Sequence, residues 1–461
     1  MDRCRGRAAA LAGALTLGAA ARPAEAGVPD TYGFGSRSAA MAGAVTGDAA
    51  DFSASFYNPA GLVEAPGIEI AAGYMYTAQR LYVGEADNDV APVRGLVAGV
   101  VAPGVLLGLP FAFGVATHLP DHGLSYLKAR REGVPRWELY DTRAQLLYLS
   151  ANLAIRPPDW LEPRGRIGSL SATRGRFGIT GRADVLSPYD SQLEHEVDAD
   201  LTSIRFPQAG LRLLLERFGA LGVTYRGESK LDLRLDARLE GIVDFAGIEV
   251  PMLYELEART LSSFTPSQLA LGLSFQGIED LRLNLDLTWV QWSAYESPTA
   301  KIRARIAAEP PPGVPLDLPE EPAPTVPIPP ELEDRWVPRV GVEYRLGLLG
   351  PERRRAGEAD GRPALELPLR AGYEYERSPV PDQTGVTNLI DADRHTMTAG
   401  FGLVWNAPCK ELGGAIELDL HAAYSILPER RTLKENAADL VGDYRASGHM
   451  VGLGAVLGVE L

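Results

Sequence analysis

The chain has 461 residues, 46% hydrophobic and 23% charged, with 49 glycines, 35 prolines and a formal net charge of −15. A mean hydropathy of −0.07 excludes a bundle of membrane helices but suits a sheet that shows lipid one face and water the other. The acidic balance argues against nucleic acid as a partner, because phosphate repels such a surface.

Residues 1–26 read as an export signal. Arg3, Arg5 and Arg7 form a basic start, Ala8 to Ala21 an apolar core too short to span a bilayer, and Ala24-Glu25-Ala26 a small-x-small cleavage site. Cleavage there leaves Cys409 as the only cysteine, so neither an internal disulfide nor a cysteine-based zinc site can form. The next stretch, Gly33 to Glu64, is rich in glycine and alanine and ends in Asn58-Pro59-Ala60-Gly61. Its small residues suit a compact segment lodged inside a closed wall, and residues 27–66 are read as a hatch. Phe34, Phe52, Phe56 and Tyr57 would offer apolar surface to a ligand. Proline fixes the local turn and asparagine can bond the nearby backbone. The candidate gating residues are therefore Phe34, Phe56, Asn58, Pro59 and Ala60.

From residue 67 onward the pattern has a period of two. One segment could mislead: Gly95 to Leu119 carries no acidic or basic side chain other than histidine and is long enough for a membrane helix. Pro103-Gly104 and Pro110 interrupt it, so strand–turn–strand is the better reading. Elsewhere Leu281, Leu283, Leu285, Leu287 and Trp289 alternate with Arg282, Asn284, Asp286 and Thr288, and similar alternation recurs to the C-terminus. A soluble sandwich would alternate in the same way. The export signal, the tight turns alternating with long loops, and aromatics near strand ends (Tyr74, Tyr76, Trp289, Trp292, Tyr344, Tyr373, Tyr375, Trp405) favour a membrane barrel.

The expected fold is all-β: an antiparallel transmembrane β-barrel of about fourteen strands over residues 67–461, with the hatch in its lumen. Several of the expected strands are long, among them 164–186, 201–216, 218–240, 246–276 and 279–308. With both termini in the periplasm, the long loops face outward. One of them, 309–334, is proline-rich and reads as a semi-rigid, acidic extracellular protrusion.

No catalytic or metal constellation emerges, and no cofactor is expected. The six histidines form no tight ligand pair, Pro120 separates His118 from His122, and no Gly-x-Ser-x-Gly turn or phosphate loop occurs. Asp391-Ala392-Asp393 resembles only half of a calcium loop. Function therefore falls to the lumen face, where Arg282, Arg339, Arg345 and Arg370 lie beside Asp286, Glu343, Glu374 and Glu376. They form either a mutually paired ladder that keeps a wet interior soluble, or a set with one arginine left for an anionic head group.

Four ordered blocks carry a resemblance: GFGSRSAAMAGAVTGDAADFSASFYNPAGL at Gly33–Leu62, FTPSQLALGLSF with LRLNLDLTWVQWSAYESP within Phe264–Pro298, WVPRVGVEYR at Trp336–Arg345, and LRAGYEYERSPVPD with DADRHTMTAGFG within Leu369–Gly402. Together they resemble the FadL/TodX family of outer-membrane transporters for long-chain fatty acids and other hydrophobic compounds. The resemblance implies a monomeric, fourteen-stranded, hatch-filled barrel in the outer membrane of a Gram-negative bacterium, surrounded by lipid and lipopolysaccharide. It implies passive uptake of a long-chain fatty acid or another hydrophobic small molecule, gated by hatch movement. It also implies a sideways exit where the third strand kinks, here Gly108–Leu119, with Pro110 and Gly114 as sources of the break. The chain departs from the pattern in its final residue, Leu461, where many such barrels carry an aromatic, and in Pro157–Asp184 and the proline-rich loop. The alternatives are a general porin-like diffusion pore without a plug, a barrel lipid hydrolase, and a structural or adhesive barrel.

Overall fold

The computed structural model describes residues 28–121, 134–141, 147–157, 165–171, 174–186, 192–205, 208–215, 218–245, 248–296, 301–308, 328–351, 363–406, 414–436 and 439–461. The export signal and most of the proline-rich loop lie outside them.

Fourteen strands form the wall: β1 Glu69–Val83, β2 Val93–Leu106, β3 Leu109–Pro120, β4 Tyr148–Ile155, β5 Gly165–Ser171, β6 Gln208–Leu214, β7 Gly219–Arg226, β8 Gln268–Ile278, β9 Leu281–Val290, β10 Arg335–Pro351, β11 Pro363–Glu376, β12 Arg394–Asn406, β13 Ala415–Thr432 and β14 Tyr444–Glu460. Neighbours in sequence pair antiparallel, and β1 pairs with both β14 and β2, so the sheet closes on itself. A two-residue arm, Ala86–Asp87, folds back on β1. Glu69 pairs with Glu460, which puts both ends of the wall at one rim, the terminal rim.

Alternation decides which side faces in. In β9, Leu283, Leu285 and Leu287 are exposed while Asn284, Asp286 and Thr288 are buried. On the described strands the outward leucines, isoleucines and aromatics form an exposed apolar face far larger than a water-facing surface carries. Tyr74, Tyr76, Trp336, Tyr344, Tyr373 and Trp405 are exposed on it. Trp292, expected in the girdle, is instead buried: a 3-10 turn at Trp292–Ala294 folds it against Phe264 and Tyr295 in a core at the far rim. Trp137, Leu139, Leu389 and Ile390 belong to the same core. Residues 134–141 reach that core by pairing with the β11–β12 connection, where Ile390 N donates to Arg136 O at 2.9 Å.

The long strands expected at 164–186, 201–216, 218–240, 246–276 and 279–308 are each divided. One part enters the barrel, and the other enters a separate five-stranded sheet of Arg174–Leu186, Gln192–Arg205, Ser229–Phe245, Ile248–Thr265 and Lys301–Ala308. A tilted strand needs only about 9–11 residues to cross a bilayer, so the surplus pairs elsewhere.

The expected break in the third strand is absent. β3 pairs with β2 from Gly95↔Pro120 to Leu106↔Leu109 and with β4 from Phe111↔Ile155 to His118↔Tyr148, with no shift of register. Pro110 sits beside the two-residue turn Leu107-Gly108, whose positive φ values of 53° and 80° suit a tight hairpin. There its missing N–H costs the ladder little.

Residues 28–66 fold as α1 Val28–Tyr32, α2 Ser36–Ala40, α3 Ala54–Tyr57 and a 3-10 helix Pro59–Glu64. Helices this short are unstable alone, and these are held by the wall. Phe52 packs on Gly99 of β2, Leu62 on Gly114 of β3, Thr46 on Gly222 of β7 and Gly272 of β8, Met41 on Gly341 of β10 and Gly372 of β11, and Ala40 on Gly400 of β12. A segment can touch strands all round a closed wall only from inside it. At Gly222 a Cβ would lie 2.1 Å from Thr46 O, so only glycine admits the hatch there.

Gly222→Val should therefore unseat the hatch while leaving the ladder intact. The expected result is a barrel that still shows heat-modifiable migration but conducts ions steadily in planar bilayers. Wild-type low conductance in that variant would show that the close approach at Gly222 does not hold the segment in place.

Candidate functional site

Many bonds fix the hatch to the wall, and three groups of them use polar side chains the sequence places inward. The first is Asn58, fully buried with extended backbone. Its Oδ1 accepts from Ala60 N at 3.1 Å, capping the 3-10 helix that Pro59 begins. Its Nδ2 donates to Thr46 O at 2.8 Å and to Leu211 O of β6 at 3.1 Å. One side chain thus ties two parts of the hatch to each other and to the barrel. Pro59 and Ala60 are buried beside it.

The second fixing point is the C-terminal end of α3, whose last carbonyls have no intrahelical partner. Arg226 of β7 donates from Nη1 to Phe56 O and Tyr57 O at 3.3 and 3.4 Å, and Gln208 of β6 donates to Phe56 O at 2.9 Å. The guanidinium carbon of Arg226 also lies 4.6 Å from the centre of the Phe56 ring.

The third is a buried ion cluster toward the terminal rim. Glu343 of β10 meets Arg37 of the hatch at 3.3 Å, Arg282 at 3.4 Å, Arg345 at 3.0 Å and Arg370 at 2.7 Å. Arg37 also meets Asp48 at 2.5 Å, which in turn meets Arg282 at 3.1 Å. Arg370 continues the chain to Asp419 and Glu417. Burial alone would push the Asp48 carboxyl up, but Arg282 and Arg37 outweigh it and hold it at about 2. Nearby, Thr46 N donates to Asp286 Oδ2 at 2.9 Å.

On the far-rim side of the hatch lies a chamber of about 1020 Å³, part of it open to solvent. Phe56, Tyr57, Val290, Trp292 and Met450 give it apolar surface; Thr77, Thr288, Thr396, Thr398 and Ser425 give it hydroxyls. Its charged wall is internally paired. Arg339 meets Glu374, Arg394 meets Glu374 at 3.0 Å and Glu376 at 2.5 Å, and Arg335 meets Glu376 at 3.2 Å.

The residues singled out from the sequence separate as follows. Arg282, Arg345 and Arg370 belong to the cluster on the terminal side of the hatch, and Arg339 belongs to the chamber wall. All four are ion-paired. Phe56 lines the chamber, whereas Phe34 is buried against Phe52, Phe56 and Tyr148 at centroid distances of 5.5, 6.3 and 5.2 Å. Gly114 accommodates Leu62, whose Cδ1 would stand 2.8 Å from a Cβ there. Sequence reasoning missed Arg37, Asp48, Gln208 and Arg226. The legible signal for the first two was the lone basic residue of Gly33–Glu64, Arg37, set with the carboxylates Asp48, Asp51 and Glu64 in a segment built mostly of small and apolar residues. Among the described residues no group of histidine, cysteine and carboxylate side chains could hold a metal ion.

Glu343→Gln removes the carboxylate shared by four guanidinium groups. Breaking a buried pair costs about 3–5 kcal/mol, so the unfolding midpoint in detergent should fall markedly and conductance should rise. An unchanged midpoint would show that the cluster does not hold the hatch. The pH dependence has a definite sign. A carboxyl held below its unfolded value stabilises fully above that value and loses its contribution only as pH falls toward about 2. The Asp48 contribution to the seat of the hatch should therefore persist at mildly acidic pH, and Asp48→Asn should raise conductance at neutral pH, an effect that planar-bilayer recording checks.

No protein-family model matches the chain. The alkane uptake protein A of Marinobacter nauticus is 22% identical over 410 residues, covering 82% of this chain and 79% of that protein. Among solved structures, a ΔS2 mutant of the monoaromatic hydrocarbon channel TodX is similar with a TM-score of 0.52 and 16% identity, covering 94% of this chain and 100% of that one. The monoaromatic hydrocarbon channel CymD gives 0.51 and 15%, covering 93% and 97%. The toluene transporter TbuX of Ralstonia pickettii gives 0.50 and 16%, covering 93% and 99%. Closed wall, inserted N-terminal segment and similarity along nearly the whole of both chains agree, and the protein has the fold of the FadL/TodX outer-membrane barrels.

Proposed function

We propose that the protein is a channel for passive uptake of hydrophobic small molecules across the outer membrane, gated by residues 28–66. The observation that carries this reading is the filled lumen: a chamber on the far-rim side, a hatch bonded to the wall beneath it, and a buried ion cluster between the hatch and the terminal rim. A general diffusion pore needs an open aqueous path, and the hatch occupies it. A molecule that partitions into lipid gains nothing from such a path. It needs a site with apolar surface and a route that avoids water.

In this reading the far rim faces outward and the substrate enters the chamber there. It settles against Phe56, Tyr57, Trp292 and Met450, and a shift of the hatch opens the way onward. Asn58 and Arg226 are the hinges of that shift, because each grips the backbone at the joint between α3 and the 3-10 helix. Alkanes and monoaromatic hydrocarbons fit the apolar part of the chamber, and they are the cargo that the names of the similar proteins carry. Long-chain fatty acids fit the same surface, but every carboxylate-binding arginine named from the sequence already has a carboxylate partner. This favours uncharged cargo.

The test is uptake of a radiolabelled long-chain alkane, radiolabelled toluene and a labelled long-chain fatty acid by cells with no other channel of this kind, beside planar-bilayer recordings of the purified protein. Low conductance with uptake of at least one hydrocarbon is expected. Asn58→Ala should impair uptake while the barrel still assembles. Large, steady conductance in the intact protein would overturn the reading in favour of a porin, and wild-type uptake by Asn58→Ala would remove Asn58 from the gate.

A further inference from the structure

The run Gly95–Leu119, whose only ionisable side chain is His118, folds as most of β2 and β3 with the turn between them. Its middle is a hairpin tip at the terminal rim. From Ala102 to Phe111 the tip has no polar side chain, and Val105, Leu106 and Leu107 are 71%, 58% and 95% exposed. On the same rim the turn between β8 and β9 is equally short but consists of Glu279-Asp280. Both turns hold a residue other than glycine at positive φ, Asp280 at 60° and Leu107 at 53°. Aspartate tolerates both that conformation and water, and leucine suits neither. Asparagine or glycine would make the turn with less strain, so local geometry does not account for leucine at 107.

Strand length places the tip against lipid. β2 turns Leu96, Val100, Ala102 and Leu106 outward, and Leu96 and Leu106 are exposed. Just beyond Leu96, Arg94 Nε meets Asp121 at 2.9 Å and Tyr74 OH donates to the same carboxylate at 2.5 Å, which marks the water on the far-rim side. From Leu96 to Leu106 the strand rises about 25 Å, at about 3.3 Å per residue and a tilt of about 40°, and the apolar band of such barrels is as tall. The outward face of β2 is therefore needed along its whole length, and the tip lies where the band ends. Phe113 of β3 with Leu153 and Ile155 of β4 continues the exposed apolar surface beside it.

The backbone of the hairpin is paired from Gly95↔Pro120 to Leu106↔Leu109, so it can enter hydrocarbon with those groups satisfied. A protein partner fits the tip less well. Protein interfaces carry about one hydrogen bond per 100–200 Å², and no side chain of the tip can make one. Acyl chains require none.

We propose that Val105, Leu106 and Leu107 insert among the phospholipid acyl chains of the leaflet beside the terminal rim. The proposal depends on the barrel and not on its cargo. Inserted, the tip ties the β2–β3 side of the wall to that leaflet, because lifting it would expose three apolar side chains to water.

The test reads depth with a fluorophore on the complete barrel. In a Cys4→Ser, Cys409→Ser background, Leu107→Cys and, separately, Leu106→Cys are labelled with bimane and reconstituted in phosphatidylcholine vesicles. Leu285→Cys, outward in β9, gives the lipid reference; Leu440→Cys, 99% exposed in the β13–β14 connection, gives the water reference. Quenching is measured with nitroxide-labelled acyl chains and with iodide on both sides of the membrane. The tip probes should be quenched by nitroxide severalfold more than the Leu440 probe and by iodide severalfold less, matching the Leu285 probe. Iodide quenching equal to that at Leu440 would put the tip in water and overturn the insertion. Shielding from both quenchers would mean that a second copy or another protein covers the tip, and would overturn it too. If Leu107→Cys does not fold, the Leu106 probe decides the question by the same comparison.

Discussion

A strand that crosses hydrocarbon must give each backbone N–H and C=O a partner, because no water is present to serve. The architecture of this protein follows from that demand. It forces β1 to pair with β14 and β2 at once, which closes the sheet. It turns the leucines of β9 outward and its asparagine, aspartate and threonine inward. It also creates an interior that has to be filled, because a closed wall lined with half-satisfied polar groups would otherwise be a wide aqueous hole. The hatch is the filling.

The filling is seated by two kinds of contact. Backbone against glycine sets distance: Thr46 and Met41 approach the wall so closely that a β-carbon on Gly222 or Gly372 would collide with main-chain atoms. Charge against charge sets orientation, with Glu343 drawing Arg37 of the hatch and three arginines of the wall into one knot. A knot of this kind adds little net stability compared with apolar packing. Its value lies in the cost of leaving any member unpaired, so the hatch has one favoured seat.

Much of this was legible in the chain and some was not, for physical reasons. The period of two reported the wall correctly because lipid on one face and water or hatch on the other select side chains strand by strand. It could not divide the long strands, since alternation is the same whether the neighbour belongs to the barrel or to the second sheet. The hatch announced itself by small residues, but Arg37 and Glu343 are 306 positions apart, and nothing local to either names the other. Gly114 illustrates the ambiguity of glycine in a strand: it looked like a weakness in the wall and is a socket for Leu62. Trp292 looked like an interfacial anchor because it follows a strand, yet the turn after β9 folds it inward.

The burial of the Glu343 knot has a further consequence for the environments the protein can work in. Dissolved ions weaken attractions that lie within their reach and leave enclosed ones almost untouched. At the mouth, pairs such as Arg377 with Glu333 stand in open solvent, whereas Glu343 and Arg370 are shut away. In brine such exposed pairs at the far rim should weaken while the buried knot holds. Salinity would then loosen the far rim without loosening the seat of the hatch.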